Sequence, residues 1–170
     1  MPEPLLRAVL DTNVLVSGLL AQRASRATRP LECLRLAVRG AFRLVTSLPL
    51  IAELARALRY PKLRIPPDAA HAFTGWVVSL AEPDGVVRIG GRLAILKRDP
   101  SDNAVLETAL LGRAAYLVTG NLRHFDELRG ADPDRQLRGL RIVDPRQFVE
   151  SLGAPAPKRL VTDGLAGQAD

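Results

Sequence analysis

Four motifs far apart in this chain each carry an oxygen-bearing side chain. They are LDTNV with Asp11, TSLPLIAEL with Glu53, RDPSDNAV with Asp102, and YLVTGN with Asn121. Asp11 interrupts an otherwise apolar run, where an unpaired charge costs several kcal/mol. Carboxylates forced together must raise their pKa values or recruit a cation, and hard oxygen ligands select Mg²⁺ or Mn²⁺ over zinc. If these side chains converge, they predict an acidic site for a divalent metal.

The elements that would bring them together are short β-branched strands that alternate with helices. This order predicts βαβ units, a parallel sheet and right-handed crossovers. The predicted strands cover residues 6–10, 42–46, 85–90, 115–120 and 140–144, and the predicted helices cover 13–22, 29–40, 47–60, 66–82, 99–114 and 145–152.

In such a sheet, ligands bind at the carboxyl ends of the strands, near the point where the strand order reverses. Asp11 lies at a strand end, Asn121 follows a strand by two residues, and Asp102 opens the helix before that strand. Glu53 lies in the second turn of a helix that begins directly after a strand, and Ser47 is the predicted N-cap of this helix. The sequence therefore predicts that all four side chains meet at one edge.

Composition favours a nucleic-acid partner only modestly. The 170 residues carry a net charge of +6 and a pI near 10.4, and the basic residues are nearly all arginine, which binds phosphate well. A solvated helix face explains such charge equally well. The clustered arginines are Arg23, Arg26, Arg29, Arg35, Arg39 and Arg43.

Length and hydropathy predict one domain over residues 1–152 and a flexible tail over 153–170. No stretch is apolar enough for a membrane helix, and Glu3 and Asp11 argue against a signal peptide, so we expect a cytoplasmic protein. The single cysteine, Cys33, is expected to be buried and inert.

The histidine content favours metal-dependent hydrolysis of RNA. Metal-free cleavage through the 2′-hydroxyl typically needs two converging acid–base groups, and the chain has only His71 and His124. A divalent ion can instead lower the pKa of a bound water and neutralise the charge that develops on a phosphodiester.

At these motifs the sequence resembles the PIN-domain family, and within it the VapC-type toxin ribonucleases of prokaryotic toxin-antitoxin pairs. The resemblance runs from about residue 7 to residue 152. It implies a three-layer α/β/α fold with a five-stranded parallel sheet, and Mg²⁺- or Mn²⁺-dependent endoribonuclease activity on single-stranded RNA. It also implies an antitoxin that blocks the cleft, and homodimerisation, which is frequent in the family. The motifs that carry it are LDTNVLVSGLL, TSLPLIAELARAL, RDPSDNAVLETAL and YLVTGNLRHF.

Carried over by position, Asp11 and Asp102 match the principal metal ligands of the family, and Glu53 matches the acid that completes the site and orients water. Asn13 and Thr119 match residues that hold the carboxylates by hydrogen bonds.

Asn121 departs from the family pattern, because many members have a fourth acid there. The position keeps a neutral oxygen but supplies no charge, so a second metal would bind more weakly. Asp99 or Asp126 could make up that charge, and Arg123 and His124 could contact the RNA backbone.

The other site residues also have purely structural interpretations, but no simple structural role offers itself for Asp11. Asp102 could favour a helix start through the helix dipole, Asn121 could cap a turn, and Glu53 could pair with Arg56 or Arg59.

Other protein classes fit the motifs less well. A haloacid-dehalogenase phosphotransferase needs an acid where Asn13 stands, and a receiver domain needs a late lysine that is absent after YLVTG. The serious alternative is a catalytically impaired PIN-like module that binds RNA or has a regulatory role.

Overall fold

A five-stranded parallel sheet forms the middle of the molecule. The structure is a computed structural model that describes residues 4–94, 96, 101–128 and 137–153. The strands are β1 (Arg7–Leu10), β2 (Arg43–Ser47), β3 (Val86–Val87), β4 (Tyr116–Val118) and β5 (Arg141–Val143). The α-helices are α1 (Thr12–Arg23), α2 (Arg29–Val38), α3 (Leu48–Leu58), α4 (Pro67–Ala81), α5 (Asp102–Leu111) and α6 (Pro145–Ser151). Two 3₁₀ helices cover Pro61–Leu63 and Leu122–Leu128.

The strand order places a switch point beside β1. The order is β3-β2-β1-β4-β5, with every neighbouring pair parallel. The chain runs outward from β1 through β2 to β3, then returns to β4 on the other side of β1. The carboxyl ends of β1 and β4 therefore flank the position where open α/β sheets bind ligands.

Alternating side chains on the strands pack into two separate hydrophobic cores, one on each face of the sheet. The fold therefore has three layers, with the sheet between two layers of helices. Ala8 and Leu10 pack into the core formed with α1, α2, α4, α6 and most of α3. Val9 and Val45 point the other way, toward α5 and the second 3₁₀ helix. Because both faces of the sheet are covered, the strands are apolar on both sides, as parallel sheets require. The predicted α/β/α class with five parallel strands is confirmed.

Most predicted elements appear close to their expected bounds, with two informative differences. Helix α1 begins at Thr12, one residue earlier than predicted, because Asp11 caps it. Ser47 holds the N-cap position of α3 as predicted, but its side chain makes no capping bond. Its hydroxyl instead lies 2.8 Å from the hydroxyl of Thr108 on α5, so it ties β2 to the opposite layer.

The first turn of α5 is fixed by Asn103, which belongs to one of the four motifs. Its side-chain oxygen accepts a hydrogen bond from the Leu96 amide at 2.8 Å, and its side-chain nitrogen donates to the Leu96 carbonyl at 2.9 Å. Asn103 therefore ties Leu96 to the first turn of α5, which begins with Asp102. Asp99 and the predicted tail beyond Gly153 lie outside the described residues.

No helix in the described part of the chain combines the length and apolar character needed to cross a membrane. Cys33 is buried as predicted, and burial raises the pKa of its thiol to about 12, with the nearby Glu32 carboxylate adding to the shift.

Candidate active site

Asp11 lies where β1 ends and α1 begins, and its carboxylate accepts several hydrogen bonds. It is only 6% exposed. Its Oδ1 accepts from the Thr12 amide at 2.8 Å, and its Oδ2 accepts from the Thr119 hydroxyl at 2.9 Å and from the Asn13 side-chain amide at 3.2 Å. Sequence reasoning found no structural role for this acid, but the structure gives it one as the N-cap of α1.

A second set of bonds joins the ends of β1 and β4. The Asn13 side-chain oxygen accepts from the Gly120 amide at 2.7 Å, and the Thr119 hydroxyl accepts from the Asn121 amide at 3.1 Å. A Cβ at Gly120 would lie 3.1 Å from that same Asn13 oxygen, which leaves little room for a side chain. The two strand ends therefore form one hydrogen-bonded unit around Asp11.

Burial raises the pKa of Asp11 above its ordinary value. Hydrogen bonds from Thr119 and Thr12, the positive field of His124 and the bond from Asn13 act in the opposite direction without cancelling the effect. The ionised form is thus under-stabilised by the protein alone, which is the condition under which a carboxylate gains from a nearby cation.

Thr12 links Asp11 to Glu53 on α3. Its backbone amide donates to Asp11, and its hydroxyl donates to Oε2 of Glu53 at 3.1 Å. These residues come from positions 41 apart in the chain, so the bond fixes α3 against the start of α1 as well as orienting the Glu53 carboxylate.

Asp102 is the first residue of α5, where the helix dipole favours a negative charge. It is largely buried, and its Oδ2 lies 2.9 Å from Nδ1 of His124, a residue of the second 3₁₀ helix. This contact is an ion pair only when the imidazole is protonated.

These residues line one cleft of about 580 Å³. Asp11, Glu53, Asp102 and Asn121 all contribute to its wall, as the sequence predicted. The remaining lining residues are Thr12, Asn13, Val16, Arg56, Ala57, Tyr60, Leu63, Ser101 and His124.

The donor set suits a hard divalent ion with a partial shell of water. Within the described residues, no three acidic, histidine or cysteine side chains stand close enough to bind one ion jointly. Mg²⁺ does not require three, because it is commonly bound through one or two carboxylates and keeps several waters. Each carboxylate oxygen has two lone pairs, so Asp11 retains a free position on Oδ1. Asp11 and Asp102, which line one cleft together with Glu53, therefore offer the oxygen donors that such an ion prefers.

Thr119 and Asn13 hold Asp11 as the resemblance implied, and His124 lies inside the cleft. Two arginines of the predicted cluster do not line this cleft. Arg35 and Arg39 line a different groove, and both contact Glu32. The cleft's own arginine, among the described residues, is Arg56.

Sequence reasoning missed the contributions of Thr12 and Tyr60. A hydroxyl directly after the strand-end acid was a signal for Thr12. Nothing local indicated that Tyr60 would border the site.

The fold and the cleft define a three-layer α/β/α domain with acidic side chains at its topological switch point. The family model described as PIN domain matches residues 7–123, well over half of the chain, and the chain belongs to the PIN-domain family. PIN domains are generally nucleases and typically use divalent metals. No curated protein and no solved structure gives a significant match.

Proposed function

We propose that this protein is a Mg²⁺- or Mn²⁺-dependent endoribonuclease that cleaves single-stranded RNA in the acidic cleft. The observation that carries the proposal is the convergence of Asp11, Glu53 and Asp102 from β1, α3 and α5 on one cleft of a protein with net charge +6. Excess positive charge on the protein attracts the RNA backbone. The three acids that line the cleft would repel RNA phosphates unless a cation lay between them.

The acids have separate roles in this proposal. Asp11 and Asp102 would hold the ion, which when bound supplies positive charge against the phosphodiester and lowers the pKa of water. Glu53, held by the Thr12 hydroxyl, would accept a hydrogen bond from the attacking water and orient it. Asn121 would contribute a neutral oxygen at the outer side of the site.

The polar residues around Asp11 would keep its carboxylate fixed during turnover. Thr119 and Asn13 both donate to Oδ2, so the carboxylate is restrained before any ligand enters. Partners of this kind are expected to influence metal affinity nearly as strongly as the ligands themselves.

The test is cleavage of end-labelled single-stranded RNA in Mg²⁺, Mn²⁺ or EDTA. Wild-type protein is expected to cleave in either metal and not in EDTA. Asp11→Asn and Asp102→Asn proteins, purified in parallel, control for contaminating nuclease and should leave the RNA intact.

The alternative is a catalytically impaired module that binds RNA. The neutral Asn121 in place of a fourth acid favours it. A binder would retard RNA on a native gel without shortening it, in the presence or absence of metal. Metal-dependent cleavage by wild type alone would exclude this alternative.

We further propose, on the resemblance to VapC-type proteins, that the nuclease is the toxin of a toxin-antitoxin pair. A cognate antitoxin that covers the cleft and a homodimer belong to the same proposal. Expression of wild-type protein should arrest growth, and Asp11→Asn should relieve the arrest. Normal growth at the same protein level as a toxic control would contradict the toxin role.

A further inference from the structure

Tyr60 is an exposed aromatic side chain on the wall of the acidic cleft. It is 55% exposed, although the chain has only seven aromatic residues. The other large hydrophobic side chains exposed in the described residues are aliphatic, namely Leu5, Val38, Leu48 and Leu111. None of these four lines the cleft. The exposed ring is therefore located at the site where RNA is proposed to bind.

Tyr60 lies two residues beyond Leu58, the last residue of α3. Glu53 and Arg56, three residues apart on α3, line the cleft together with Tyr60. The ring therefore shares the cleft with the acids that are proposed to act on RNA.

The backbone at Tyr60 is held in place. Its amide donates to the Ala57 carbonyl at 3.1 Å, and its carbonyl accepts from the Leu63 amide at 3.0 Å. Pro61 follows directly and restricts the conformation of the residue before it. A ring on such a fixed support loses little conformational entropy when a ligand covers it.

Arg56 provides a charge next to the ring. Its side chain is exposed and lines the same cleft as Tyr60. Val16, Ala57 and Leu63 add apolar surface to the same cleft. An aromatic ring, an available guanidinium and apolar neighbours are the features with which proteins bind an unpaired base and its phosphate.

We propose that Tyr60 stacks on one unpaired base of the RNA close to the scissile phosphate, while Arg56 contacts a neighbouring backbone phosphate. This inference rests on the proposed nuclease function and deepens it. Every base has a π-face, so the subsite tolerates any sequence. It rejects bases that remain paired and stacked in a duplex, and this gives the cleft its preference for single strands.

The first experiment measures binding without cleavage. The dissociation constant of a fluorescent single-stranded RNA is determined in EDTA for wild type and for Tyr60→Ala, Tyr60→Phe and Leu48→Ala. Loss of one stacking contact, at about 1–3 kcal/mol per base, corresponds to about 5- to 150-fold weaker binding for Tyr60→Ala. Tyr60→Phe keeps the ring and should bind like wild type.

Leu48→Ala is the matched control, because Leu48 is 73% exposed on α3, the helix that precedes Tyr60, and does not line the cleft. It should bind RNA like wild type. Thermal unfolding of each variant verifies folding, and the exposure of Tyr60 predicts little change in melting temperature for Tyr60→Ala.

The second experiment identifies the stacked base with RNAs that carry a single abasic position. One abasic position should weaken wild-type binding by about the factor seen for Tyr60→Ala, and the same RNA should not weaken Tyr60→Ala further. Equal affinities of wild type and Tyr60→Ala would overturn the inference. So would additive losses at every abasic position.

These results are separable from the fate of the proposed function. If wild type cleaves RNA and Tyr60→Ala binds RNA as tightly as wild type, the stacking inference is wrong and the proposed nuclease function is retained. A Tyr60-dependent, abasic-sensitive affinity without any cleavage would keep the subsite and favour the impaired binding module.

Discussion

The two walls of the cleft are built differently. On the strand-end wall, Asp11 is 6% exposed and Thr119 is fully buried, and hydrogen bonds connect both to their neighbours. On the α3 wall, Arg56 on the helix and Tyr60 just beyond its end are exposed side chains. One wall is fixed by hydrogen bonds that span more than 100 residues of sequence, while the other offers free side chains to solvent.

This difference separates two tasks that a nuclease cleft must perform. Charge must be held rigidly where the reaction occurs, because a preorganised site does not reorganise during the reaction. An RNA chain of varied sequence must be bound by groups that tolerate different bases. Changes on the strand-end wall should therefore affect metal binding and turnover, whereas changes on the α3 wall should mainly affect RNA affinity.

The largest effect is expected for Asp11→Asn. The variant should lose metal-dependent stabilisation, because a proposed metal ligand is gone. A ligand at 100 times its dissociation constant stabilises the folded state by about 2.7 kcal/mol, so saturating Mn²⁺ should raise the melting temperature of wild type clearly and that of the variant little. Equal shifts in both proteins would place the ion elsewhere.

Thr119→Val should come next. The valine has nearly the shape of threonine but cannot donate to Asp11, and outer partners of metal ligands typically contribute about 10- to 100-fold to affinity or activity. Mn²⁺ affinity measured by titration calorimetry should fall by about 10- to 100-fold. Thr119→Ser keeps the hydroxyl and should retain most of the wild-type affinity. Equal losses of affinity in both variants would indicate that changed packing, not the lost hydrogen bond, is the cause.

Thr12→Val tests the contact between the two walls, with a smaller expected effect. It removes the hydroxyl bond to Glu53 and leaves the backbone bond to Asp11 intact. The turnover number should fall by about tenfold or less, near the lower end of the range for outer partners, because the residue is only partly buried. Single-turnover kinetics should show an unchanged RNA dissociation constant for Thr12→Val. The control Thr12→Ser keeps the hydroxyl and should cleave at a near-normal rate.

The smallest effect is a pH dependence of stability at Asp11. Its pKa is raised in the folded state, so between the ordinary and the raised value the folded protein binds a proton that the unfolded chain does not. Metal-free wild type should gain stability relative to Asp11→Asn as the pH falls through the raised pKa, by at most about 1.4 kcal/mol per pH unit. Urea unfolding of both proteins at several pH values measures this difference, and an opposite sign would contradict the assigned burial effect.

Strong local signals made much of the fold predictable from sequence. Short β-branched strands that alternate with helices indicated the βαβ order, and strand-end positions indicated that Asp11 and Asn121 would lie near each other. Ser47 was assigned its cap position correctly but not its bond to Thr108, because that partner lies 61 residues away. Likewise, Asn103 belongs to an identified motif, yet only the structure shows that it binds the Leu96 backbone.

By itself, the sequence determined the fold class and the four side chains of the acidic cleft, since hydrophobic period and strand-end position depend on residues close together in the chain. Only the tertiary structure decided how those side chains are held and what surrounds them. Thr12 reaches Glu53, and Tyr60 borders the cleft, because α3 packs against the start of α1. Packing of one helix against another joins residues through space, and no local pattern in the chain specifies which side chains then share a wall.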